Sequence, residues 1–274
     1  MIEVGHTPLL KISYLNKKFN LPNLWIKDES KNPFGTFKDR RSELIIKNAK
    51  ENNIDKLALI TAGNSGYSLA KFSEGTGIKV VSIVDKKCRN SIKEKLKKYC
   101  GKLIEADLAE KMFKPEEITL LARENNEEKI LDATNRWHKA NEQIIFELKK
   151  EYLKKLDCII CPLGSGELFL GIHSALKKLK MKVKIVCVGV NSSKSVADKL
   201  ITCWRPYSKE INDALKKGNK YIEVKDEEIL SAMKSVEGLI NCEPSAATVF
   251  AALPKLKLNK ETRILAINTG KGLI

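Results

Sequence analysis

The sequence predicts an α/β fold made of two doubly wound, three-layer domains with mostly parallel sheets. Short runs rich in Val and Ile alternate with longer helical segments along the 274 residues, which is the pattern of strands joined by crossover helices. The strand candidates are continuous apolar runs, as sheets covered on both faces require. Polar, glycine-containing loops directly follow three of these runs, at the strand ends where open α/β sheets bind ligands.

Strands are expected where a run of Val, Ile and Leu, too short for an amphipathic helix, lies between polar or glycine-containing residues. These runs are residues 24–27, 57–61, 80–84, 102–105, 158–161, 183–190 and 263–268. Helices are expected in the intervals between them, where apolar residues recur with helical spacing. The predicted helices are residues 38–49, 67–76, 92–100, 115–125, 142–156, 168–180, 226–237 and 245–256.

The interval from 191 to 221 has weak periodicity and is rich in Lys, Ser and Asn. It is compatible with a mobile active-site segment and equally with a surface excursion.

The chain carries 50 Lys and Arg residues against 34 Asp and Glu, a net charge of +16. A basic surface can bind nucleic acid. However, no RNA-binding or helix-turn-helix motif is present, and the aromatic residues are few and dispersed. The missing motifs argue against nucleic acid as the main partner. The basic field would also attract a small anionic substrate, and a surface rich in lysine and glutamate also fits a thermophile.

Cysteine usage and the N-terminus predict a cytoplasmic protein. There are seven cysteines, an odd number, and no basic region followed by an apolar run, so reduced thiols are expected. Cys158 and Cys161 fall within a predicted strand, which favours packing over a metal site. No metal site is expected from His6, His138 and His173, which are far apart in sequence and lack paired carboxylates. No apolar stretch is long enough to span a membrane.

Lys38 is the leading candidate catalytic residue. It lies in the run Asn-Pro-Phe-Gly-Thr-Phe-Lys-Asp-Arg at residues 32–40, just after a Pro/Gly turn and at the start of a predicted helix. Partial desolvation and the helix N-terminus lower the proton affinity of an amine there, which suits a lysine that forms a Schiff base. A turn followed by a solvated basic helix start is the alternative interpretation.

Three glycine-containing loops complete the candidate site. Residues 61–66 read Thr-Ala-Gly-Asn-Ser-Gly, residues 162–168 read Pro-Leu-Gly-Ser-Gly-Glu-Leu, and residues 268–272 read Asn-Thr-Gly-Lys-Gly. Glycines allow a close approach to an anion, and a following helix directs free N–H groups toward it. Because each loop follows a predicted parallel strand, the three loops can converge on one crevice.

These four segments, in this order, resemble the motifs of fold-type II enzymes that use pyridoxal phosphate (PLP), and most closely those of threonine synthase. Residues 5–9 and 243–247 resemble two further motifs of the same family more weakly. The resemblance spans nearly the whole chain. It implies that PLP lies in a crevice between a smaller domain, residues 42–132, and a larger one, residues 1–41 plus 133–274. It also implies a homodimer.

The resemblance implies how PLP is held. Lys38 would carry it as a Schiff base and then act as general base and acid, Asn64 would contact its ring oxygen, and Thr269 would lie near its pyridine nitrogen. The phosphate would be bound by the second loop, namely Gly164, Ser165, Gly166, Glu167 and Leu168. The Glu167 carboxylate is expected to point away, because it would repel the phosphate.

The resemblance assigns the substrate carboxylate to the first loop in the smaller domain. Its ligands would be Thr61, Gly63, Asn64, Ser65 and Gly66, through hydroxyl and backbone N–H groups. An ordinary helix cap formed by Asn64 or Ser65 is the alternative role of this loop, and both roles are compatible.

Three departures separate the chain from threonine synthases. The chain ends soon after the last motif, residues 137–143 lack the family's pattern, and Lys271 stands where the family often has histidine. A substrate phosphate needs cations, and the candidates are Lys271, Arg40, Arg136 and His138.

The expected reaction is conversion of O-phospho-L-homoserine and water to L-threonine and phosphate. A related PLP enzyme of β-replacement or elimination, such as a cysteate synthase, a cysteine synthase or a Ser/Thr dehydratase, is the second hypothesis. A degenerate paralogue that acts as a binding or regulatory protein is the third, motivated by the short C-terminus and the altered residues 137–143.

Overall fold

A computed structural model describes residues 3–108, 113–126, 128–201 and 206–273, which form two compact units. The larger unit comprises Met1–Phe37 and Asn141–Gly272, and the smaller comprises Lys38–Ala140 and Leu273–Ile274. No helix in the described part of the chain is long and apolar enough to cross a membrane.

The two units contain ten strands among the described residues. They are β1 (Leu9–Leu10), β2 (Leu24–Asp28), β3 (Lys56–Ile60), β4 (Lys79–Asp85), β5 (Lys102–Ala106), β6 (Ile130–Asp132), β7 (Cys158–Pro162), β8 (Lys184–Val190), β9 (Lys220–Val224) and β10 (Ile264–Asn268).

Eleven α-helices lie between these strands in the described segments. They are α1 (Ser13–Lys18), α2 (Lys38–Glu51), α3 (Asn64–Ser73), α4 (Asn90–Tyr99), α5 (Pro115–Ala122), α6 (Gln143–Phe146), α7 (Lys150–Leu153), α8 (Glu167–Lys178), α9 (Ser208–Lys216), α10 (Asp226–Val236) and α11 (Pro244–Ala252).

The larger unit is built on a six-stranded sheet in the order β1-β2-β10-β7-β8-β9. Only the short edge strand β1 is antiparallel within this sheet. Side chains alternate between its faces, so Ile264 and Ala266 enter one apolar cluster, whereas Leu265 and Ile267 enter the other. Helices α10 and α11 cover the first face, and α6, α8 and α9 cover the second. The predicted three-layer α/β class is therefore confirmed.

The same alternation separates two cysteines of β7. Cys158 packs in the cluster with α10 and α11, whereas Cys161 packs in the opposite cluster. The two thiols therefore lie on opposite faces of the sheet, and burial raises the pKa of Cys158 to about 12. Both behave as small core residues.

The smaller unit has a four-stranded parallel sheet in the order β5-β4-β3-β6. Helices α2, α3 and α4 pack against it through one apolar cluster that includes Ile45, Leu69 and Leu96. Helix α5 packs against β3 and β6 through the fully buried Ile118 and Ala122.

The structure corrects one predicted helix. Residues 142–156 do not form a continuous helix, because the chain turns at Lys149, whose backbone is extended, between α6 and α7. Ile144 and Leu148 before the break and Leu153 after it are buried in the same apolar cluster. Packing in this cluster therefore outweighs the continuity of the helix. The sequence pattern also missed β1, α1, β6, α9 and β9.

Residues 191–221 prove to be partly core. Helix α9 buries Ile211 and Ala214, and the preceding Tyr207 is also buried. Residues 202–205 of this interval lie outside the described residues.

We expect the ion pairs of Lys56 to make the smaller unit sensitive to acid. Its buried Nζ lies 2.6 Å from Glu128 and 2.9 Å from Glu124. Hydrogen bonds from Lys56 and then Lys102 lower the pKa of Glu124 to about 2. A carboxylate whose pKa is lower in the folded state stabilises the fold at pH values above its unfolded-state pKa. This stabilisation is lost as the pH falls toward the folded-state pKa. We expect the thermal midpoint to drop between about pH 4.5 and about pH 2, and Lys56→Met to flatten part of that slope.

The matched control is Lys97→Met, because Lys97 forms an exposed pair with Glu94. Such a pair contributes little to stability. Thermal unfolding followed across the pH range checks both variants, and an equal slope in Lys56→Met and the parent would contradict this role of Lys56.

Candidate active site

The turn that precedes Lys38 is paired with the loop after β10, within the larger unit. The Phe37 N–H donates to the Thr269 carbonyl at 3.0 Å. Thr36 and Gly270 form an antiparallel bridge between the two segments. Because Lys38 directly follows Phe37, the chain itself ties the candidate lysine to the Thr269 loop.

The buried carboxylate of Glu29 holds the same turn through hydrogen bonds. Glu29 is fully buried just after β2, and it accepts hydrogen bonds from Thr7 Oγ1 at 2.7 Å and from Asn32 Nδ2 at 2.8 Å. The Gly5 N–H donates to Asn32 Oδ1 at 3.0 Å. The segment of residues 5–9, which weakly resembles a family motif, is therefore connected to the start of the lysine motif. The sequence pattern does not mark Glu29, because it follows two other charged residues, Lys27 and Asp28, and lies outside the lysine motif.

The Gly164–Leu168 loop lies between β7 and the N-terminus of α8, in the same unit as Thr269. Gly166 has a φ of 100°, and a Cβ there would overlap Ile211. A Cβ on Gly164 would lie 3.0 Å from the Lys199 carbonyl oxygen. Helix α8 is 12 residues long and has no side-chain cap at its N-terminus. A loop shaped by glycines before an uncapped helix fits an anionic group such as a phosphate.

The first residue of α8 is held on both its side chain and its backbone. The Glu167 carboxylate is buried and accepts a hydrogen bond from the Tyr207 hydroxyl at 3.3 Å. Its carbonyl accepts one from Asn141 Nδ2 at 3.2 Å. No local sequence signal marks Tyr207 or Asn141, because their roles depend on distant parts of the chain meeting at this loop.

In the smaller unit, Lys38 is the first residue of α2, as the sequence predicts. The next residue, Asp39, is fully buried and accepts a hydrogen bond from the Ser68 hydroxyl of α3 at 2.6 Å. The Ser42 hydroxyl lies 2.8 Å from the same Ser68 oxygen. The start of α2 is therefore anchored on the helix that follows the Thr61–Gly66 loop.

The Thr61–Gly66 loop is organised by Thr61. Its Oγ1 accepts the N–H of Gly63 and the N–H of Gly66, each at 3.0 Å. Gly63, with a φ of 129°, is the N-cap of α3, so neither Asn64 nor Ser65 is the cap residue. Helix α3 begins at Asn64, three residues before the predicted start at 67. Among the described residues, the Thr61 hydroxyl donates no hydrogen bond.

The stretch of residues 131–137, which ends at the first residue of the altered segment, lines a cavity of about 420 Å³ within the smaller unit together with the start of α5. Asp132 holds this segment: its carboxylate accepts the Thr134 N–H at 2.7 Å and Asn135 Nδ2 at 3.1 Å, and its carbonyl accepts Trp137 Nε1 at 3.2 Å. Burial raises the pKa of Asp132, against the opposing effect of these donors.

Among the candidate cations for a substrate phosphate, Arg40 is buried, His138 is half-buried, and Arg136 and Lys271 are exposed.

The chain matches the family model described as pyridoxal-phosphate dependent enzyme over residues 1–270. It is 26% identical to a threonine synthase of Methanocaldococcus jannaschii, covering 98% of this chain and 75% of the relative. It is 30% identical to a cysteine synthase of a Flavobacterium species, covering 68% of this chain and 62% of the relative. The solved structure of maize serine racemase has the same fold, with a TM-score of 0.79 and 20% identity over 99% of this chain and 89% of that one.

Proposed function

Since the chain belongs to the family of pyridoxal-phosphate-dependent enzymes, we propose that it is a carbon–oxygen lyase of the threonine synthase kind. It would convert O-phospho-L-homoserine and water to L-threonine and phosphate. The observation that carries this proposal is the similarity to a threonine synthase along 98% of the chain. The cofactor is PLP and the substrate is an amino acid. We further expect a cytoplasmic homodimer.

PLP, when bound, supplies an electron sink for carbanions at the amino-acid carbons. Lys38 would hold it covalently, and the backbone of Gly164–Leu168 would bind its phosphate. Asn64 would contact the ring oxygen and Thr269 the ring nitrogen. Because a hydroxyl is a weak partner for a charged ring, Thr269 favours elimination and replacement chemistry over transamination.

Lys38 would also move protons. The backbone before it is held by the Phe37–Thr269 hydrogen bond, and the helix that begins with it is held by the Ser68–Asp39 hydrogen bond. The Lys38 amine would take protons from the substrate Cα and Cβ as phosphate leaves Cγ, and it would return one proton to Cγ and one to Cα, while water adds its hydroxyl at Cβ. A single base of this kind accounts for proton transfer at neighbouring carbons.

The hydrogen bonds within the first loop decide which of its groups remain to bind the substrate carboxylate. The N–H groups of Gly63 and Gly66 already donate to Thr61. We therefore assign the carboxylate to the Thr61 hydroxyl hydrogen and the Ser65 hydroxyl, beside the N–H groups at the start of α3.

Thr61→Val is expected to weaken amino-acid binding roughly tenfold and to cost about 1–2 kcal/mol of stability, because two buried N–H groups lose their acceptor. Thr61→Ser keeps the hydroxyl and serves as the matched control. Ligand titration and urea unfolding measure both effects. Equal behaviour of the Val and Ser variants would show that the hydroxyl has no such role.

Product analysis in heavy-oxygen water tests the reaction. The proposal predicts equal amounts of threonine and phosphate, with the heavy oxygen in the threonine hydroxyl and none in the phosphate. Labelled phosphate with homoserine would instead indicate simple ester hydrolysis and contradict the proposal.

The similarity to a cysteine synthase supports a β-replacement enzyme as the second candidate. Cysteine formed from O-acetyl-L-serine and sulfide, without threonine from the phosphorylated substrate, would favour it. If the chain is a degenerate paralogue, neither O-phospho-L-homoserine nor O-acetyl-L-serine is converted.

A further inference from the structure

Lys271 packs the stem of its side chain against Gly35, and its ammonium group has no ion-pair partner among the described residues. Its N–H donates to the Gly35 carbonyl at 3.0 Å. Its side chain lies against the Cα of Gly35, where an added Cβ would overlap Cε and lie 2.9 Å from Cγ. Gly35 also has a φ of 84°, so backbone conformation and space both require glycine there. The turn before Lys38 thus has a groove that the stem of Lys271 fills.

Lys271 lies on the loop after β10, two residues beyond Thr269. Open α/β sheets bind ligands beyond the carboxyl ends of their strands, where this loop lies. The loop also has a carboxylate neighbour: Glu243, whose N–H donates to the Gly270 carbonyl at 2.9 Å, places its side chain against Gly272. Glu243 repels an anion, so Lys271 is the group on this loop that attracts one.

We propose that Lys271 binds the anionic group at the end of the substrate side chain, a phosphate monoester, and thereby selects phosphorylated over neutral amino acids. This inference rests on the proposed function and names the residue that would recognise the phosphate of its substrate. A lysine ammonium is a point charge that suits phosphate. Because contact with Gly35 already restrains the stem, little conformational entropy remains to be lost on binding. The cofactor phosphate is served separately by the loop before α8.

Binding of two unreactive ligands to the PLP-loaded protein tests the proposal. The phosphonate isostere of O-phospho-L-homoserine cannot lose its anion, and norvaline is the same carbon chain without it. We expect Lys271→Gln to weaken phosphonate binding roughly tenfold or more and to leave norvaline binding unchanged. Lys271→Arg, which keeps the charge, is expected to retain most of the affinity. Lys31→Gln removes an exposed lysine from the same unit and serves as the control.

Equal phosphonate affinity in Lys271→Gln and the parent would overturn the proposal. So would an equal loss for norvaline, or a parent that binds the two ligands alike. The result is separable from the reaction itself. If the parent forms no threonine but its preference for the phosphonate depends on Lys271, the substrate class stands and the proposed reaction fails.

Discussion

Lys38→Ala is expected to remove the visible absorption band of the PLP-loaded protein and to lower turnover by roughly a thousandfold or more. The variant loses both the covalent attachment of the cofactor and the amine that moves protons, and general acid–base catalysis alone contributes about 10²–10⁴-fold. Absorption spectra and turnover with O-phospho-L-homoserine measure the two losses.

Lys47→Ala is the control for Lys38→Ala, because it removes an exposed lysine from the same helix. It should keep the band and the turnover of the parent. A Lys38→Ala protein that retains the band would place the covalent attachment on another lysine and contradict the assignment.

Gly270→Ala is expected to destabilise the fold by about 3 kcal/mol or more and to abolish tight PLP binding. Gly270 has a φ of 147°, and a Cβ there would lie 2.5 Å from the Gly35 carbonyl oxygen and 2.8 Å from the Thr36 Cα. These are backbone atoms that cannot rotate away, so the pairing between the lysine turn and the last-strand loop must open. Urea unfolding and PLP titration measure the two effects.

Gly238→Ala separates backbone strain from steric overlap. Gly238 has a φ of 71°, but an added Cβ meets nothing within 4 Å. We expect it to cost only about 1–2 kcal/mol and to leave PLP affinity unchanged. If the two alanine variants behaved alike, the pairing at Gly270 would have no special importance for the cofactor.

Much of the fold follows from sequence pattern. The strong apolar runs became β2, β3, β4, β7, β8 and β10, with bounds that differ by a residue or two from those expected. The segments that pattern missed are weak locally. Strand β6 has only three residues, and the buried residues of α9 are just Ile211 and Ala214. Their conformations depend on neighbours that the sequence does not identify.

The candidate site divides in the same way. Glycine patterns place its loops after β3, β7 and β10, where the structure has them. The supporting residues lie outside any motif. Glu29 holds Asn32 from the end of another strand, and Tyr207 reaches Glu167 across 40 positions of sequence. Thr61 is within a motif, yet its capping of two N–H groups emerges only from the loop geometry.

The most direct test of the central assignment is reduction of the PLP-loaded protein with borohydride, followed by peptide mapping. We expect one pyridoxyl group per chain, on the peptide that contains Lys38, and none in Lys38→Ala. A pyridoxyl group on a different lysine, or none at all, would contradict the assignment of Lys38.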